Sequence, residues 1–120
     1  MPDIDEVPVV ADRVPGWLLD TVPEVPASAW SRIVGVSLRT WRRWGTGEAR
    51  PRPANATRLG ALAACVAQLR HGYSPDGTTA WFTRRHPQLD DRRPVDLLGD
   101  AAAQDRLVDA AAGARESVAS

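Results

Sequence analysis

The seventeen residues Ser28-Ala29-Trp30-Ser31-Arg32-Ile33-Val34-Gly35-Val36-Ser37-Leu38-Arg39-Thr40-Trp41-Arg42-Arg43-Trp44 constrain this chain more than any other stretch. Trp30, Ile33 and Val34 repeat at the i, i+3, i+4 spacing of one helix face, which predicts a helix from about Ala27 to Val34. Gly35 is suited to end it, because glycine adopts positive φ without a Cβ clash. Val36 plugs the turn, and the Ser37 hydroxyl caps a second helix. On that helix Thr40, Trp41 and Trp44 fall on one side with Ser37, while Leu38, Arg39, Arg42 and Arg43 point elsewhere. Two short helices, a glycine-centred turn and an arginine-rich second helix make the pattern of a helix-turn-helix that enters a DNA groove.

Charge is segregated in the same way. The formal net charge is zero, and arginine supplies all fifteen basic side chains. Residues 1–27 hold six acids and one arginine, whereas residues 28–58 hold seven arginines and the single acid Glu48. Residues 59–120 are near balance, with seven arginines and eight acids. A phosphate backbone responds to local charge, so the neutral average conceals a basic module.

The 120 residues divide into three parts. Residues 1–15 are acidic, carry three prolines and read as a poorly ordered arm. Residues 16–53 form the helix-turn-helix module, with a short first helix over 16–22 and a stiff connector, Arg50-Pro51-Arg52-Pro53. Residues 54–120 form a small helical domain. Its first helix, Ala54 to about Arg70, carries the apolar stripe Leu59, Leu62, Ala63, Val66 and Leu69. Ser74-Pro75-Asp76-Gly77 reads as a turn and Thr78–Arg85 as a short helix. Pro94 opens a helical turn, and Asp100 caps a last helix that Gly113 ends, leaving a polar tail. Without useful β-alternation, the fold class is all-α.

Chemistry-bearing constellations do not emerge. Cys65 stands alone on an apolar helix, which excludes an internal disulfide and suggests a reducing compartment. His71 and His86 lack a metal-ligand spacing to it. Neither a phosphate-binding glycine loop nor a nucleophile–base set is present. The expectation is a protein that is not an enzyme, with no cofactor and no metal. The acidic N-terminus and the lack of a long apolar run argue for a cytoplasmic chain with no membrane span.

The segment Trp81-Phe82-Thr83-Arg84-Arg85-His86-Pro87-Gln88-Leu89-Asp90-Asp91-Arg92-Arg93-Pro94-Val95-Asp96-Leu97-Leu98 resembles the Arg-Pro-x-Asp-Leu-Leu signature of the Xre/MbcA/ParS antitoxins. Ile33-Val34-Gly35-Val36-Ser37, Thr40-Trp41 and Arg43-Trp44 are similar to the Xre-like helix-turn-helix of the same family, and the likeness spans about 27–112. Asp90-Asp91 stands where family members commonly carry glycine, and Phe82 replaces a commoner leucine. The resemblance implies an antitoxin whose partner is a RES-domain, NAD-consuming toxin. Its C-terminal domain would obstruct the toxin's NAD pocket while the N-terminal module binds operator DNA, and a homodimer within a larger complex is implied.

The candidate DNA contacts are Ser37, Leu38, Arg39, Arg42, Arg43, Arg50 and Arg52. Leu38, Arg39 and Arg42 are placed nearest base edges, and Arg50 and Arg52 are placed as phosphate clamps. The candidate toxin contacts are Trp81, Arg84, Arg92, Arg93, Asp96, Arg115, Glu116 and Ser117. Three of these sets carry a structural alternative. Trp81 can serve the core, Arg92–Leu98 can be a capped turn above buried leucines, and the tail can be a frayed end instead of a plug for the NAD pocket. A stand-alone regulator whose C-terminal domain only dimerises is the competing reading of the whole chain. An adaptor that offers its arginine face to an acidic protein is a third.

Overall fold

Six α-helices follow one another in the computed structural model, which describes residues 7, 8 and 10–119, the last three by backbone alone. They are α1 (Val14–Thr21), α2 (Ala27–Val34), α3 (Leu38–Thr46), α4 (Pro53–Leu69), α5 (Pro75–Trp81) and α6 (Gln104–Ala119). Short 3-10 turns occupy Ala11–Arg13, Pro87–Leu89, Pro94–Asp96 and Ala101–Ala103. Among the described residues there is no strand, and an isolated antiparallel bridge joins His86 to Arg92. The architecture is all-α.

The core forms around α4. Leu59, Leu62, Ala63, Cys65, Val66 and Leu69 are fully buried along it. Its main neighbour is α6, which contributes Leu107, Ala110 and Ala111; α1 and α2 approach it with Val14, Leu18, Ile33 and Val34. One cluster of buried side chains therefore runs from Val14 to Ala111. The Arg50–Pro53 connector leads straight into α4, where Pro53 sits in the first turn, a position that does not need its missing N–H.

The structure departs from the sequence expectations at four places. Ordered backbone begins inside the expected arm: Ala11–Arg13 form a 3-10 turn, and Val14 and Pro15 are buried. The remainder of that arm, residues 1–6 and 9, lies outside the described residues. Ser74-Pro75-Asp76-Gly77 is the start of α5, not a free turn. The Ser74 hydroxyl accepts from Gly77 N–H at 3.0 Å, so Ser-Pro acts as N-cap and N1. Helix α5 accordingly ends at Trp81 instead of near Arg85. Finally, Gly113 does not end the last helix. Asp100 caps Ala101–Ala103 by accepting from Ala102 N–H at 3.0 Å, and the helix then continues to Ala119. Glycine inside a helix costs about 1 kcal/mol relative to alanine. That cost is offset where α6 docks: a Cβ on Gly72 would stand 3.3 Å from the Arg115 carbonyl.

The loop after α5 is held by its own backbone. His86 N–H donates to Arg92 O at 3.1 Å, and Asp91 N–H donates to His86 O at 3.0 Å. Closing this loop puts Asp90 at φ +57° and Asp91 at φ +61°, the left-handed region that favours glycine. Aspartate tolerates it better than most side chains, and Asp90 also pairs with Arg106 at 2.9 Å. Asp91→Val is expected to lower the unfolding free energy by about 1–2 kcal/mol, the penalty of a left-handed conformation at a Cβ-bearing residue. Asp91→Gly is expected to be neutral or stabilising. Urea denaturation of the three proteins distinguishes these outcomes.

Candidate functional site

Helices α2 and α3 meet through a three-residue turn that both ends stabilise. Gly35 adopts φ +88°, and the N–H groups of Gly35 and Val36 both donate to Ser31 O, at 2.9 and 3.0 Å. Ser37 opens α3 by accepting from Thr40 N–H at 3.0 Å, and its own hydroxyl donates to Thr40 Oγ1. Trp41 and Trp44 turn inward, each 4% exposed, with ring centroids 6.1 Å apart. Trp30 on α2 is buried beside the same core. Gly47 at φ +83° closes α3.

With its tryptophans committed to the core, α3 presents its other side to solvent. Leu38 is half-buried, whereas Arg39, Arg42, Arg43 and Thr46 are exposed. With Glu48 these residues line one open concavity of about 380 Å³. Arg43 Nε lies 3.6 Å from Glu48 Oε2, so its charge is partly answered within the chain. Arg39 and Arg42 are left as the groups that an anionic partner meets first. Arg50 and Arg52 lie outside the lining of that concavity. Arg50 is paired with Asp12 at 3.7 Å while remaining 88% exposed, so a competing phosphate displaces that weak contact at small cost. Arg52 occupies the N-cap position of α4 and is exposed.

The second group of candidates divides. Trp81 is 2% exposed, edge-on to Phe82 at 5.2 Å and against the His86 ring at 4.8 Å. Its carbonyl is tied to His86 Nε2 at 2.8 Å. Trp81 is thus a core residue, not an exposed contact. Arg84 and Arg92 are exposed on the following loop. Arg93 forks onto Asp96, with Nε–Oδ2 at 3.0 Å and Nη2–Oδ1 at 3.1 Å, above the buried Leu97 and Leu98. That geometry is the capped-turn alternative for Arg92–Leu98, and it leaves the outer edges of both charges in solvent. Arg115 and Glu116 belong to the last turns of α6 instead of a loose tail, and the Ser117 side chain lies outside the described residues. Arg106, near the other end of α6, holds Gln88 O and Asp90. Arg106 and Arg115 are nine positions apart along the helix, about 14 Å at 1.5 Å per residue, so the loop arginines and the helix end make two patches.

Among the described residues no cluster of three His, Cys, Asp or Glu side chains is placed to hold a metal ion. No described helix is long and apolar enough to cross a membrane. The Cys65 thiol is fully buried, and burial pushes it up from 9.0 to about 12.

No family model matches the chain. A curated relative does: the chain is 35% identical over 86 residues to a probable mycobacterial cidal antitoxin of Mycobacterium tuberculosis, covering 72% of this chain and 70% of that one. Among solved structures, it is similar to a chain of the M. tuberculosis MbcT–MbcA toxin–antitoxin complex, with a TM-score of 0.61 and 26% identity. That likeness covers 86% of this chain and 94% of the other.

The thiol yields a direct prediction. A raised folded pKa means that stability is fully present below 9.0 and is lost as pH rises toward about 12, where the unfolded thiol ionises and the buried one does not. Cys65→Ala is therefore expected to lessen the alkaline loss of stability. In the native protein Cys65 should resist iodoacetamide at mildly alkaline pH and react once the chain is unfolded, a difference read by mass spectrometry.

Proposed function

The chain belongs to the MbcA-like antitoxins and is one half of a toxin–antitoxin pair; on that premise we propose that it neutralises a RES-domain, NAD-consuming toxin and represses its own operon by binding DNA. The observation that carries the DNA half is the division of α3 into a tryptophan face buried in the core and an arginine face open to solvent. Such a helix enters a major groove with Leu38, Arg39 and Arg42 toward the bases. Arginine forks onto the O6 and N7 of guanine, and an apolar side chain meets the methyl group of thymine. Arg50 and Arg52 supply phosphate contacts beside it, and Ser37 and Arg43 flank the reading edge.

Neutralisation is steric. A folded surface that carries Arg84, Arg92, Arg93 and Asp96 covers the mouth of the toxin's NAD pocket, and the end of α6, with Arg115 and Glu116, serves as a helical abutment. This chain performs no chemistry in that act. As a two-fold dimer it would set two reading helices about 34 Å apart and favour a palindromic operator.

The test expresses the product of the adjacent gene with and without this chain and follows growth and cellular NAD. NAD is expected to collapse with the neighbour alone and to recover on co-expression. Arg84→Glu with Arg92→Glu should lose that rescue. Arg39→Ala with Arg42→Ala should keep the rescue while derepressing a reporter driven by the operon's promoter. Each lost arginine–guanine fork is expected to remove about 1–3 kcal/mol of base discrimination. A neighbour that leaves NAD untouched would overturn the toxin assignment, and rescue lost together with repression in the α3 variant would overturn the separation of the two faces.

A further inference from the structure

Arg58 is unlike the other arginines of the basic stretch. Six of the seven between residues 28 and 58 are exposed, and Arg58 alone is half-buried. It rises from α4, and its Nη1 donates to the carbonyl of Val34, the last residue of α2, at 3.4 Å. A Cβ placed on Gly35 would stand 3.8 Å from the same nitrogen. On its other side the guanidinium lies over Gly99. A Cβ there would meet Nε at 3.0 Å, Cγ at 3.6 Å and Nη2 at 3.7 Å. Gly99 does not have a positive φ, so what glycine provides here is room for the guanidinium and not a special conformation.

We propose that Arg58 is a positioning residue: it fastens the α2–α3 turn to the Leu97–Asp100 segment and so sets the angle at which α3 is offered to DNA. The chemistry suits the task. The C-terminal carbonyls of a helix lack intrahelical partners and carry the negative end of its dipole, so a cation donating to Val34 O answers both. A planar guanidinium spans the gap between a carbonyl and a glycine surface where an ammonium would reach one of them. The segment it stands on follows directly after Pro94–Asp96, so the same strut joins the neighbourhood of the candidate partner surface to the base of the α3 face.

The role rests on the DNA reading above, and the test separates the two. Wild-type protein, Arg58→Ala, Gly99→Val and the double variant are titrated with duplex DNA from upstream of the chain's own gene, over a salt series. Circular dichroism and capture of the adjacent-gene product serve as checks on global damage. Arg58→Ala is expected to weaken DNA binding about tenfold, the order of one charge-assisted hydrogen bond, with helicity and capture retained. The salt dependence of its affinity should match wild type, since no phosphate contact is lost, whereas Arg50→Ala should lower the slope by about one. Gly99→Val should reproduce the loss in the wild-type background and add nothing to Arg58→Ala, because the residue it displaces is already gone. Wild-type protein that ignores duplex DNA would overturn the DNA reading and the positioning role with it. Wild-type binding with an unchanged Arg58→Ala affinity, a reduced salt slope in that variant, or additive losses in the double variant would overturn the positioning role alone. Arg58→Ala that loses helicity or capture as well makes Arg58 a general structural residue and likewise overturns it.

Discussion

The burial of α4 between α6 and the N-terminal helices is the interaction on which the rest of this structure depends. Leu59, Leu62, Val66 and Leu69 meet no solvent. Truncating any one of the three leucines to alanine costs about 2–5 kcal/mol, a large part of the 5–15 kcal/mol that holds an ordinary domain together. Because α1, α2 and α6 all close on this helix, the arginine face of α3 and the loop after α5 stand on one core. The chain behaves as two faces of one body, although its sequence suggests two modules joined by a basic connector.

Electrostatics then decides which arginines are free to act. Fifteen are present in a chain of zero net charge, so composition alone singles out none of them. Arg93 is engaged by Asp96, Arg106 by Asp90, and Arg43 more loosely by Glu48. Arg58 is turned inward onto Val34 O. Exposed ion pairs of this kind add little to stability, yet they reduce the charge a partner encounters. Arg39 and Arg42 on one surface, and Arg84 and Arg92 on another, are the exposed cations closest to the faces argued to bind.

Much of this was legible in the sequence where local chemistry is decisive. Gly35 and Ser37 announced the α2–α3 turn because a left-handed residue and a hydroxyl cap are required by backbone geometry itself. The tryptophan spacing likewise told which side of α3 is buried. Reading faltered where one signal has two meanings. Ser74-Pro75-Asp76-Gly77 has turn chemistry, but Ser-Pro is also an N-cap followed by N1, and burial of Trp81 selects the helix. Gly113 reads as a stop, yet α6 runs through it and packs its Arg115 backbone close to Gly72. Trp81 could be assigned to core or interface until its neighbours were known. Arg58 was not visible as a strut at all, since its partners lie 24 residues before it, at Val34, and far after it, at Gly99.

Native-state hydrogen exchange across a denaturant series tests most directly whether the two faces share one cooperative core. The slowest amides of α2, α4 and α6 should converge on one opening free energy as denaturant rises, because none of these helices retains its buried face without the others. Amides of α2 and α3 that open at a distinctly lower free energy than those of α4 and α6, and with a smaller denaturant dependence, would contradict the account and make the arginine face a separate unit.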